Sequence, residues 1–150
     1  MNLVYGHDAE VAAWVACHAP HAEHGFSKFV AIGVERDGEL VAGCVYTDYH
    51  GHTISISMAS TTPLWASRKT VGAMFAYPFM QLKCQRLTAC TGRSMVSVRE
   101  FLERLGFVEE GILRRGFADD DCVVYGMLRE ECRWLPRTIH ERQPFAAAAA

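Results

Sequence analysis

The stretch SVREFLERLGFVEEGILRRGF, Ser97 to Phe117, sets a helical pattern directly against a strand pattern. Val98, Phe101, Leu102 and Leu105 recur at the i, i+3, i+4, i+7 spacing of a single helix face. Glu100 and Arg104, four residues apart, are placed to pair on the outer face. Gly106 follows where a helix ends in the left-handed region, which glycine enters without the clash a Cβ would bring. Beyond it GILRRGF (111–117) and CVVYGML (122–128) flank the polar turn ADDD (118–121) and read as a hairpin. RLTACT (86–91) reads as a short strand before the helix, so this part of the chain is strand, helix, hairpin.

Working outward, AMFAYPFMQLKCQRL (73–87) lies in a helix expected over about Arg68 to Leu82. Its inward residues are Val71, Met74, Phe75, Phe79 and Leu82, and Pro78 kinks it by removing one backbone donor. TISISMAS (53–60) alternates Ile54, Ile56 and Met58 against Ser55 and Ser57, the period of a strand with one covered face. KFVAIGVERDGELVAGCVYT (28–47) holds two β-rich runs joined at Asp37-Gly38, a pair that tolerates the positive φ angles of a tight hairpin. HDAEVAAWVACHAP (7–20) offers Asp8 as an N-cap, places Val11, Trp14, Val15 and His18 on one face, and is stopped by Pro20. The order helix, hairpin, strand, helix, strand, helix, hairpin calls for a mixed sheet with helices on both faces.

Composition sets the frame. Of 150 residues half are apolar and 21% charged, enough for one buried core and too few for two domains. The formal charge of -2 supplies no cationic field, so nucleic acid is an unfavoured partner. Cys17, Cys44, Cys84, Cys90, Cys122 and Cys132 form no C-x-x-C pair, which reads as a reduced, cytoplasmic protein. No signal peptide or membrane span is expected. The single domain is set at 1–132, and 133–150, with two prolines and a run of alanines, at a C-terminal tail outside the fold.

This order, with FLERLGFVEEGILRRGF (101–117), resembles the GNAT superfamily of N-acetyltransferases, whose last helix commonly ends in an L-E-K-L-G-F segment before a strand. Trp65-x-x-Arg68 followed by MFAYPFMQL (74–82) is similar to small GNAT-like proteins carried by bacteriophages. The resemblance implies an α/β (α+β) fold with a mostly antiparallel sheet of six to seven strands. It implies acetyl-CoA as cofactor, an amine-bearing small molecule or protein as acceptor, and a homodimer. In that family the sheet splays between the fourth and fifth strands, here TISISMAS and RLTACT, and the pantetheine arm pairs with the fourth. That assigns Met58, Ala59 and Ser60 to the cofactor, with a backbone N–H near Met58 or Ala59 polarising the thioester. The diphosphate would rest on the loop TPLWASRKT (62–70), at Trp65, Ala66 and Ser67, where first-turn amides lack internal partners. Arg68 and Lys69 add positive charge there.

The sequence also departs from the family pattern. Trp65, Ala66 and Ser67 stand where glycines usually let the backbone approach the ligand, and Gly72 lies too deep in the helix to replace them. Met95 occupies the position of a cofactor-contacting asparagine, Leu102 that of a tyrosine proton donor, and Ser55 that of a glutamate on the fourth strand.

Acetyl transfer to an amine needs a neutral nucleophile. A lysine near pKa 10.4 is neutral in about one molecule in 2,500 at pH 7, a deficit of roughly 4 to 5 kcal/mol, while an α-amine near 7.8 is about one-seventh neutral. A site without a strong base favours the second, or a water-relayed proton path. Candidate bases are Asp48, His50 and His52 in TDYHGHT (47–53), with Ser55 beside them and Tyr125 as a proton donor. Each has a plainer reading, as turn polarity or as a tyrosine tip reaching water. CHAPHAEH (17–24) gathers Cys17, His18, His21 and His24, but its proline and loose spacing suit a substrate-facing loop better than a tetrahedral metal site, and no metal is assigned. The rival readings are a GNAT-shaped phage protein that binds a host protein with little or no catalysis, and a phage DNA-modifying acyltransferase-like protein of the Mom type.

Overall fold

A computed structural model describes residues 1–135. Its elements are β1 (Asn2–Val4), α1 (Asp8–His18), β2 (Val30–Arg36), β3 (Glu39–Thr47), β4 (Thr53–Ser60), α2 (Arg68–Ala76), β5 (Arg86–Gly92), α3 (Val96–Leu105), β6 (Val108–Phe117) and β7 (Asp120–Leu128). The seven strands form one sheet in the order β1-β2-β3-β4-β5-β7-β6. Every neighbouring pair is antiparallel except β4 with β5. The expected mixed, mostly antiparallel sheet with helices on both faces is the observed one. Among the described residues, no helix is long and apolar enough to cross a membrane.

The alternation of strand side chains divides the core in two. On one face Val11 and Val15 of α1 pack on Ala31 and Val45. On the other, Val71, Met74 and Phe75 of α2 and Leu102 and Leu105 of α3 pack on Ile32, Tyr46, Leu87, Tyr125 and Met127. Residues one apart in a strand therefore serve opposite helices. The tight hairpin at Asp37-Gly38 forms as read, with φ of 55° and 84°, and Gly106 ends α3 at φ 112°.

Three local expectations are corrected. Asp8 is the first helical residue and makes no cap; its Oδ1 instead accepts the amide of Ala31 at 3.3 Å and ties α1 to β2. The helix expected to reach Leu82 is α-helical only to Ala76, and Tyr77–Gln81 form a π-turn in which the amide of Leu82 bonds the carbonyl of Tyr77. Pro78 has no N–H to give, and the helix widens into the π-turn at that point. Glu100 and Arg104 do not form an ion pair among the described residues; Arg104 lines a cleft instead. β1, three residues long, carries too little pattern for sequence reasoning to detect.

Candidate active site

β4 and β5 run parallel and paired for only four residues, from Thr53 opposite Arg86 to Ile56 opposite Ala89. β4 stays on β3 as far as Ser60, and β5 stays on β7 as far as Gly92. From Ser57 onward the two strands diverge, and among the described residues no strand lies beside the facing side of either backbone. β4 leads into α2 and β5 into α3, and both helices pack on the same face of the sheet. The result is a cleft of about 990 Å³.

One wall of the cleft is β4 from Ser55 to Ser60, and the other is β5 from Thr88 to Thr91. Trp65 and Ala66 close one end, and the α3 face at Val98, Phe101 and Leu102 forms a side. Asp48, the connection after α1 and Phe117 of the β6–β7 hairpin complete the lining, from segments remote in sequence. His21, at φ 65°, stacks on Phe117 with ring centres 4.2 Å apart, and its Nδ1 is 3.7 Å from Asp119. Asp120 accepts the Ser94 hydroxyl at 2.6 Å and the Ser94 amide at 3.0 Å, and these bonds, with a smaller contribution from His21, hold its carboxyl below the usual range. Gly92 makes the convergence possible: a Cβ there would lie 2.6 Å from Asp120 Oδ2 and 3.3 Å from His21 Nε2.

The candidate residues separate clearly. Asp48, Ser55, Met58, Ala59, Ser60, Trp65 and Ala66 line the cleft. Ser67, Arg68 and Lys69 form the start of α2 beside it, and Met95 is the N-cap position of α3 with no side-chain cap bond. His52 lies off the cleft, its carbonyl accepting the amides of Gln85 and Arg86. Tyr125 is fully buried, because its position in β7 faces α3; its hydroxyl accepts Arg99 Nε at 3.1 Å. The cluster after α1 divides its work: His18 stacks on Trp14 and donates Nδ1 to the Trp14 carbonyl at 2.7 Å, while His21 faces the hairpin.

The start of α2 also differs from the four open donors expected. Ser67 accepts the amide of Thr70 at 3.2 Å, and Thr70 accepts the amide of Ser67 at 3.1 Å, a reciprocal cap. The Thr70 hydroxyl also donates to the Trp65 carbonyl. That leaves the amides of Arg68 and Lys69, which have no acceptor within the helix. Gly72 meets protein, not ligand: a Cβ there would lie 3.4 Å from the carbonyl of Trp134.

Sequence reasoning missed His21 and Phe117 as neighbours, and Cys90, Phe101 and Trp134 as lining. The pattern of α3 marks Phe101 as inward, but only the divergence of the strands turns inward residues into a wall.

No family model matches the sequence, and no curated protein is similar to it in sequence. Solved structures do match the fold. A mutant of the spermidine N-acetyltransferase of Vibrio cholerae superposes with TM-score 0.68 at 13% identity, covering 92% of this chain and 99% of that one. A GNAT-family acetyltransferase from Bacillus anthracis gives 0.56 at 23% identity over 67% of each chain. The ribosomal-protein-S5-alanine acetyltransferase of Vibrio fischeri gives 0.59 at 16% identity over 72% of this chain and 64% of that one. The chain has the fold of the GNAT acetyltransferases.

Proposed function

We propose that the protein is an acetyl-CoA-dependent N-acetyltransferase that acts on a primary amine. The observation that carries this reading is the divergence of β4 from β5 after Ile56 and Ala89, which leaves extended backbone beside a cleft at the start of a helix. An amide-bearing arm fits such a gap because it can take up the hydrogen bonds the missing strand would have made. Met58, Ala59 and Ser60 would hold the arm, and the amides of Arg68 and Lys69 with their side chains would receive the diphosphate. When bound, the cofactor supplies an acetyl group activated as a thioester.

The lining formed by Asp48, His21 and Phe117, read as the acceptor end, supports an amine. Asp48 lines the cleft, Asp119 lies 3.7 Å from His21 Nδ1, and two structural neighbours are named for spermidine and for a protein alanine. Asp48 is the carboxylate that lines the cleft itself, so it relays the amine's proton, directly or through water, as the amine attacks the thioester carbonyl. The phage-type likeness of Trp65 to Leu82 supports a bacterial cytoplasm as the setting. A homodimer, to be read as mass by light scattering, completes the proposal.

Calorimetry tests the reading. Acetyl-CoA is expected to bind saturably, and Ser57→Trp, which fills the diverging gap, is expected to abolish binding while circular dichroism keeps its native form. No saturable heat at millimolar CoA would overturn the reading in favour of a protein that binds a host partner. The observation favouring that second reading is the replacement of three polar family positions by Met95, Leu102 and Ser55.

A further inference from the structure

We propose that Arg68 and Arg133, held together on the indole of Trp134, form a phosphate clamp for the nucleotide end of CoA; this rests on the cofactor reading above. The clamp comes from a short strap that continues from β7. A single 3-10 turn, Arg129–Glu131, reverses the chain, and Cys132 and Leu135, 1% and 4% exposed, anchor the strap in the core. Between those anchors Arg133 and Trp134 cross from the end of α3 to the start of α2.

Both ends of the crossing are fixed. Trp134 Nε1 donates to the Leu105 carbonyl at 2.8 Å, and the Arg133 guanidinium donates to the Arg104 carbonyl, so the strap caps the last turn of α3. On the other side Arg68 Nη2 donates to the Arg133 carbonyl at 3.4 Å. The backbone of Trp134 packs against α2 at Gly72, where a Cβ would lie 3.4 Å from its carbonyl oxygen. Trp134 and Arg104 line the cleft.

The charge here is unbalanced. The guanidinium carbons of Arg68 and Arg133 lie 6.0 and 5.4 Å from the centre of the Trp134 ring. An indole attracts each cation but does nothing to reduce their mutual repulsion. Three arginines elsewhere are matched, Arg86 to Glu110, Arg93 to Asp121 and Arg99 to Glu109. Arg68, Arg104 and Arg133 enter no ion pair among the described residues. Each carbonyl contact uses few of the five donors a guanidinium carries, and the remainder suit a phosphate, which accepts two parallel bonds from one fork. Trp134 is thus a positioning residue, and the two arginines are the contacting ones. They stand at the α2 end of the cleft, where the phosphates of a cofactor would emerge once its arm lies along β4.

The experiment compares wild type and Arg133→Ala by calorimetry with CoA, dephospho-CoA and pantetheine, following indole fluorescence in parallel. In Arg133→Ala, affinity for CoA is expected to fall about tenfold or more, with pantetheine unchanged and a weaker dependence of CoA binding on salt. Arg133→Lys is expected to recover only part of the loss, because a point charge does not reproduce the fork. Should Arg133→Ala fail to fold, Arg68→Ala carries the same comparison. CoA affinity within about twofold of wild type, or equal weakening of CoA and pantetheine, overturns the clamp. If wild type binds CoA and pantetheine equally well, the clamp falls and the cofactor cleft stands; if it binds neither, both fall.

Discussion

Cys90 shows how one residue's setting decides its chemistry. It lies on β5 at the first position past the last pairing with β4, and it lines the cleft, so a thiol stands close to where a thioester would react. Burial, reinforced by the neighbouring Cys122 thiol, pushes its pKa up to about 12, so at pH 8 it is almost entirely protonated. A protonated thiol is a poor nucleophile, which supports the proposed direct transfer to the amine over an acyl-cysteine route. Cys17 and Cys90 are both exposed, so access does not separate them; the raised pKa of Cys90 is expected to slow its modification by iodoacetamide at pH 8, as read by peptide mass spectrometry, with Cys90 labelling accelerating as pH climbs. Rapid labelling of Cys90 at pH 8 would contradict the protonated thiol. Nothing in RLTACT announced this, because a cysteine in a β-rich run reads as a small hydrophobe until its partner strand is known.

Among elements, the fit of α1 on the sheet is the most exacting. Gly43 lies under the helix, and a Cβ there would meet Val15 Cγ2 at 2.8 Å and Val11 Cγ1 at 3.0 Å. Both valines are rigid at χ1 and buried, so the helix itself would have to lift. Gly43→Ala is expected to cost about 1 to 3 kcal/mol, seen as a lower midpoint in thermal or urea unfolding; an unchanged midpoint would show that α1 can shift freely. α1 also carries His18 and leads into the connection that bears His21, so its lift is expected to disturb the acceptor end before the cofactor end. The sequence disclosed α1 through Val11 and Val15, and α3 through its four-residue apolar face and Gly106, because periodicity and a left-handed stop are local properties. It did not disclose that Asp8 would bond β2 rather than cap α1, or that Glu100 and Arg104 would stay apart, because each outcome depends on a competing partner brought in by the fold.

For the molecule as a whole, the parting of β4 and β5 joins fold to function. In hydrogen exchange the amides of Ser57 to Ser60 that face the cleft are expected to exchange faster than those of Thr53 to Ile56, and to gain protection when acetyl-CoA is added. Equal protection along β4 with and without ligand would remove the gap as a binding site. The sequence by itself determined the element order, the hairpin at Asp37-Gly38, the stop at Gly106 and the two-faced sheet, since backbone preference and apolar spacing act over a few residues. It also pointed to the cleft-lining run from Met58 to Ala66, through likeness of motif. Tertiary structure alone decided that Tyr125 is buried against Arg99, that His21 meets Phe117, and that Trp134 gathers Arg68 and Arg133 at the cleft's end. The contacts of Arg99 with Tyr125, His21 with Phe117 and Arg68 with Trp134 reach across 26 to 96 positions of chain, and no local preference encodes them: which side chains meet is fixed only when the whole sheet has chosen its register and each helix its face.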